Sequence, residues 1–451
     1  MNIFKAVKVF FCLIFFLLSS IIFAQKAPIT LTAVGFDANN SMPLLAVSND
    51  GNGKLWQVKL LPGWSTSAWF HTSSCVGVGT SAVCLAGGSV AIDEKPGQPL
   101  FYVSTDGGDN WELKSVPGLA VDMDFKTSDC TGGSGPASFC VAAGVTELTN
   151  IPTLITSSDG GNTWSKQSVT GLTGEGYFSA SSCSGAGKSA VCAVLGFSAN
   201  NNNPYLAVTN DGGTSWKNKS IPGLPKLSSY SAIKCTGNGA AATCMVTGSY
   251  FGNSSTPLLA LSVDGGNTWA LQNIKGLPSS SSLSAISCTG EGSSAVCVIA
   301  GYFFKNFAPL PLLVVSENGG KNWEVKSSAD FPAGGMFNRV SCTGSGKAAV
   351  CGASGNTMQD STETGLFAVS NDGGVNWKMK TLPKKLTNAN ISSVRCSGEG
   401  SATICTLLGD YYFRWQQPLL VISTDAGETW AEQYISGLSS QGEFFEGGVT
   451  A

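Results

Sequence analysis

Three arginines, one histidine, fourteen regularly spaced cysteines and a scatter of carboxylates are the side chains of this 451-residue sequence that can do chemistry. Guanidinium suits carboxylate and phosphate, so Arg339, Arg395 and Arg414 are the candidate anion binders; the first two stand shortly before a cysteine and the third in a loop. Glycoside cleavage needs two carboxyl groups about 5 to 10 Å apart. Asp93, Glu94, Glu147, Asp360, Glu363 and Asp410, with Asp122, Asp124 and Glu175, are the acids available for it, but nothing in the sequence pairs any two of them. They read as solvated loop carboxylates. His71 is the only histidine and no GxSxG elbow stands beside it, so nucleophilic catalysis has no carrier. Phosphate-binding loops and metal motifs are missing, and neither a cofactor nor a metal is expected.

The cysteines fall into seven pairs: Cys75 with Cys84, Cys130 with Cys140, Cys183 with Cys192, Cys235 with Cys244, Cys288 with Cys297, Cys342 with Cys351, and Cys396 with Cys405. Nine-residue spacing does not match zinc ligation, whose paired cysteines lie two to four apart. Each pair brackets a Gly- and Ser-rich segment such as Thr289 to Gly292, so each is expected to staple one β-hairpin. A closed loop of this length contributes about 2 to 3 kcal/mol in the chain-entropy model.

Disulfides imply an oxidising compartment. Residues 1 to 24 agree with that: Lys5 and Lys8, an apolar run from Val9 to Phe23, then Ala24 before a polar stretch form the layout of a secretory signal peptide, with Cys12 discarded along with it. An uncleaved anchor is the alternative, although the run is shorter than the ~20 residues of a spanning helix and no second such run follows. The expected protein is therefore secreted or periplasmic, with residues 25 to 451 as its one domain. A net charge of −3 and only 12% charged residues exclude a nucleic-acid footprint and a charge-rich disordered chain.

Positioning any of these groups falls to a repeat. A Ser or Thr, an Asp two residues on, a Gly and a Trp three residues after it recur eight times: Ser48 to Trp56, Ser104 to Trp111, Ser157 to Trp164, Thr209 to Trp216, Ser262 to Trp269, Ser316 to Trp323, Ser370 to Trp377 and Ser423 to Trp430. Their mean interval is about 53 residues, which divides residues 25 to 451 into eight periods with no room for another domain. Each period reads as four short strands; residues 283 to 330 give Leu283 to Cys288, Ala295 to Ala300, Leu310 to Ser316 and Trp323 to Lys326. Such units at this period predict an all-β fold, a single propeller of four-stranded antiparallel blades, eight-bladed or, if one unit is degenerate, seven-bladed. Asp50, Asp106, Asp159, Asp211, Asp264, Asn318, Asp372 and Asp425 are expected to build the turn between third and fourth strands. Asn318 can make that turn and cannot do acid-base work, so the role is structural. Seven cysteine pairs against eight motifs are reconciled if Gly442 to Val449 acts as a first strand, with Val449 at the cysteine position, and Ile29 to Phe36 as a second. One blade is then closed by both chain ends without a disulfide.

The pattern Ser-x-Asp-x-Gly-x-x-Trp resembles the Asp-box, or BNR, repeat, and the resemblance spans nearly the whole mature chain. That family holds sialidases, xyloglucan-degrading glycosidases, sortilin-type receptor domains and a photosystem II assembly factor, so the resemblance implies the propeller and leaves the activity open. A sialidase-like enzyme needs an Arg-Ile-Pro motif near its start, and no Arg precedes residue 339 here.

Loops between second and third strands open on the face opposite the Asp-box turns and are rich in aromatics: Tyr250 and Phe251; Tyr302, Phe303, Phe304 and Phe307; Tyr411, Tyr412, Phe413, Arg414 and Trp415. Held on a rigid scaffold, they are the expected contact surface for a glycan or protein ligand of a non-catalytic, monomeric binding module. The alternatives are a secreted glycoside hydrolase using loop carboxylates and an assembly factor for another exported protein. Inward packing of several of these rings is the competing reading.

Overall fold

The structure is a computed structural model. It describes residues 29–450 apart from 62–66, 91–98, 201–202, 226, 252–254, 327–330, 360–361, 384–385, 387 and 414, and it leaves undescribed the side chains of 251, 255, 358, 359, 362, 412, 413 and 415. The expected signal sequence, Asp93, Glu94, Asp360 and Arg414 lie outside the described residues.

Eight small antiparallel sheets form a ring, an eight-bladed propeller, and the seven-bladed alternative is set aside. We number the blades from the one that holds the chain's start. Blade 2 shows the plan: Ala68–Val76 lies innermost, followed outward by Val83–Val90, Phe101–Ser104 and Glu112–Leu113. Blade 1 is made of Gly442–Val449, Leu31–Asp37, Met42–Ser48 and Gln57–Val58, so the chain's end supplies the strand on the axis and its start the other three. Blade 4 carries a fifth strand, Val169–Thr170, paired in parallel with its outermost one.

Each sheet buries both faces against its neighbours, which divides the core into inter-blade layers. Phe101 and Val103 of blade 2 meet Phe125, Ile155 and Trp164 of blade 3 in one layer. Ile404, Leu408, Leu420 and Ile422 of blade 8 meet Leu31, Leu44, Trp56 and Phe444 of blade 1 in the layer that closes the ring.

All seven disulfides join the expected neighbours, each with Cα atoms 4.1 Å apart on directly opposed residues of the two inner strands. The bracketed segment is a single 3-10 turn, for example Gly79–Ser81. On the same face lie the Asp-box turns. In each box the first hydroxyl donates to the acid, from Ser104 to Asp106 at 2.8 Å, and the acid accepts the backbone N–H four residues on, that of Asn110, at 2.9 Å. Asn318 accepts the N–H of Asn322 at 2.9 Å in the same way. Burial opposes ionisation of Asp106, but hydrogen bonds from Asn110 and Ser104 outweigh it and hold the carboxyl below its usual range. The Trp111 indole donates to the Gly108 carbonyl at 3.1 Å, tying the turn to the blade.

One device recurs in all eight blades. The innermost strand bulges at the residue four before the cysteine position: His71, Lys126, Ser179, Ser231, Ser284, Asn338, Ser392 and Phe445. A β-bulge leaves one residue unpaired and turns its strand. The bulge drives a carbonyl against the second strand, where only glycine fits: a Cβ on Gly88, Gly144, Gly301 or Gly409 would stand 1.8 to 2.0 Å from a backbone oxygen. These glycines lie four residues after the second cysteine of each pair, and Gly35 holds the equivalent place in blade 1, with Cβ 1.9 Å from the Glu443 oxygen.

Candidate functional site

Strand propensity, rather than loop length, shapes the face opposite the Asp boxes. Aromatic and β-branched residues continue the ladders of blades 5 to 8 outward, where the sequence suggests loops. Past the bulge glycine, pairing in blade 6 runs four residues further, from Gly301 to Lys305 opposite Ala308. It runs as far in blade 7, to Gln359, and in blade 8, to Phe413, and three residues in blade 5, to Phe251. In blades 1 and 3 it stops after two, at Asp37 and Thr146, and in blade 4 after one, at Phe197. Among the described residues, blades 6, 7 and 8 therefore pair two residues, about 7 Å, further than blades 1 and 3, and blade 5 one residue further, which raises a wall on that side.

Blade 6 builds the most explicit part of that wall. Asn306 and Phe307 join Lys305 to Ala308 with φ of +52° and +64°, a two-residue turn whose backbone form favours Gly at its second position. Here that position holds Phe307, fully exposed. A bulky residue at positive φ is a genuine outlier, and strain of this kind clusters at functional sites. Alternation along the strand puts Tyr302 and Phe304 on one side, with ring centroids 5.6 Å apart and perpendicular, and Phe304 is 51% exposed.

The remaining aromatics divide. Tyr250, Phe303 and Tyr411 pack against inter-blade core, so they are wall supports instead of free contact surface. The side chains of Phe251, Tyr412, Phe413 and Trp415, like Arg414, lie outside the described residues.

The eight innermost strands enclose an axial channel of about 430 Å³. The residue before each inner cysteine sets its character. Ser74, Asp129, Ser182, Ser287 and Ser341 each accept the backbone N–H of the next blade's cysteine, at 2.7 to 3.1 Å, and so lace the ring together. Lys234 and Arg395 occupy the same position and put cations there instead. Arg395 donates from Nε to the Gly447 carbonyl at 3.0 Å and from Nη2 to Glu446 at 2.5 Å. Arg339 and Lys126 also line the channel. The structure thus brings Arg339 and Arg395 of the candidate anion set into one cavity with two lysines. Sequence reading misses the lysines because only the bulge and the inner-strand register show which residues face the axis; the repeated glycine four residues after the cysteine is the signal that locates the bulge.

Two groups of carboxyls sit toward the loop face, and the buried member of each, Asp124 or Asp410, corrects the expectation of a solvated loop acid. Asp124 is buried on the inner strand Met123–Gly132, where Lys126 pairs with it and His71 Nε2 lies 3.5 Å away. Burial lowers His71 to about 4, against the opposing pull of Asp124. Glu147 beside them is raised by burial and then by the Asp124 charge. Asp410, also buried, accepts from Asn390 Nδ2 at 3.2 Å and Gln416 Nε2 at 3.4 Å. Burial raises it, as does the Glu363 charge, and Glu443 is raised by burial and by the Asp410 charge. Amide and ammonium partners make burial of Asp124 and Asp410 tolerable. Such groups can hydrogen-bond hydroxyls or trade protons. Among the described residues, no three His, Cys, Asp or Glu side chains converge in a way that would hold a metal.

The BNR/Asp-box repeat profile matches residues 102–113, the turn of blade 2. No curated protein matches the sequence. Among solved structures, the chain is similar to YCF48 bound to D1 peptide, at 16% identity and a TM-score of 0.42 over 76% of this chain and 86% of that one. It is similar to the six-bladed fucose-recognising lectin of Aleuria aurantia, at 13% identity and a TM-score of 0.40 over 68% and 93%. The ulvan lyase of polysaccharide lyase family PL25 stands at 11% identity and a TM-score of 0.41 over 80% and 91%. The profile match, repeated as the same hydrogen-bonded turn on one face of eight successive blades, makes this chain a BNR/Asp-box repeat β-propeller.

Proposed function

We propose that the chain is a non-catalytic binding module of an oxidising extracytoplasmic compartment, exported by its first 24 residues, that holds a glycan or protein ligand on its loop face against the raised hairpins of blades 5 to 8, with the exposed aromatics of blade 6 as the contact. Seven disulfides fit that compartment, and among the described residues no helix is long and apolar enough to cross a membrane. The observation that carries the binding reading is Phe307, a fully exposed ring kept in a strained turn at the tip of the blade 6 hairpin. A ring there stacks on a sugar face or fills an apolar pocket of a partner, and a rigid hairpin presents it at little entropic cost. Wild type and Phe307→Ser, run side by side on a glycan array and in a capture assay, test it: ligand retention by wild type and its loss in the variant is the expected result, and equal retention removes the wall from the account.

Glu363, Asp410 and Glu443 favour a second reading, glycoside hydrolysis, because carboxyls raised by burial, two of them also by a neighbouring carboxylate, suit general acid catalysis. A panel of chromogenic glycosides decides between them. Turnover abolished by Asp410→Asn replaces the binding reading, and inertness across the panel keeps it.

A further inference from the structure

The channel carries an unbalanced charge that the loop face does not explain. Four cations line it, Lys126, Lys234, Arg339 and Arg395, against two carboxylates, Asp129 and Glu446. Two of the cations are committed: Lys126 pairs with Asp124 near the mouth, and Arg395 with Glu446. Asp129 accepts two backbone N–H groups, of Cys130 and Cys183, and feels Lys234 and Arg395 only through space. Among the described residues no carboxylate lies within ion-pair distance of Lys234 or Arg339. Among the described residues Arg339 makes one hydrogen bond, from Nη1 to the Asn338 carbonyl at 3.1 Å, which leaves most of its five donors for another group. The chain as a whole is acidic, at −3, so the surplus is local to the axis.

Charge in a narrow, walled cavity acts more strongly than on an open surface. Ser231 and Ser284, on blades 5 and 6, line the channel alongside Lys234 and Arg339 and add hydroxyl donors suited to an oxygen-rich group.

We propose that the axial channel is a seat for one compact oxyanion, a carboxylate, sulfate or phosphate group, bound by Arg339 and Lys234 with Arg395 beside them. Guanidinium offers such a group a two-pronged contact and the ammonium a point charge. The site is independent of the aromatic wall: it lies on the axis, and its residues come from inner strands instead of the extended hairpins.

The test is calorimetric titration of the full mature chain at low ionic strength with sodium sulfate, inorganic phosphate and glucuronate, and with glucose as the neutral control. Wild type is expected to take up at least one of the three anions saturably and to ignore glucose; the anion it takes identifies the source of the charge. Arg339→Gln and Lys234→Gln are each expected to weaken uptake by about tenfold or more, the loss of a charge-assisted contact, while Lys275→Gln, at an exposed position, leaves it unchanged. Arg339→Lys, which keeps the charge, restores part of it and separates a lost contact from a damaged fold. No saturable uptake of any anion by wild type, or uptake insensitive to both Gln variants, overturns the proposal. Phe307→Ser leaves anion uptake intact, so this result stands or falls apart from the loop-face reading.

Discussion

Val449, near the chain's end, lies directly opposite Leu31, near its start, in the register that the cysteines hold in the other seven blades. Leu31 in turn faces Ser48, the first residue of an Asp box, as Cys84 faces Ser104. The ring is closed by apolar contact and backbone pairing at the one place where a covalent staple would join the two ends of the chain.

Replacing both residues by cysteine, Leu31→Cys with Val449→Cys, is therefore expected to form an eighth disulfide. The loop it closes spans nearly the whole chain, so the chain-entropy model gives stabilisation of about 6 kcal/mol, an upper figure. Non-reducing mass mapping checks the bond, and thermal unfolding with and without reductant checks the gain.

The bulge glycines make a sharper prediction. A Cβ at Gly409 would meet the Asn390 oxygen at 1.8 Å, backbone against backbone, with no flexible side chain to yield. Gly409→Ala is expected to cost about 3 kcal/mol or more, at the severe end for one methyl group. Chemical denaturation of the purified variant measures it, and a cost near zero would mean that the bulge is absent.

Much of this architecture is legible in the sequence. The spacing of Ser, Asp, Gly and Trp sets the blade count, the cysteine pairs set the inner hairpins, and the alignment of Val449 places the closure. The extended wall is not legible, because Asn306 and Phe307 turn the chain without the glycine that normally marks such a turn. The channel cations are hidden for another reason: whether Lys234 faces the axis depends on strand register, which composition does not reveal. Asp124 and Asp410 read as surface acids because the partners that permit their burial, Lys126 and Asn390, are recognisable only in three dimensions.

His71 gives a pH prediction with a definite sign. Its folded value, about 4, lies below the 6.5 of the free side chain, so the unfolded chain binds the extra proton and stability falls as pH drops from 6.5 towards 4. The loss is on the order of 3 kcal/mol at most. Thermal melts across that range should show a decline in wild type that is smaller in His71→Gln; identical profiles would contradict the buried, neutral ring.

Phe307 sets stability against binding. Phe307→Gly relieves a positive φ and is expected to raise stability by about 1 kcal/mol while removing the exposed ring. Denaturation and ligand capture on the same preparation read both effects, and a loss of stability would show that the turn is unstrained.

The most direct measurement is the affinity of a captured ligand for three proteins: wild type, Phe307→Ser on the loop face, and Val263→Ser, an exposed residue within an Asp-box turn on the opposite face. Phe307→Ser is expected to lose about tenfold or more in affinity, as for an interface anchor, and Val263→Ser nothing. Undiminished binding by Phe307→Ser, or a loss confined to Val263→Ser, would rule out the loop face as the ligand's seat.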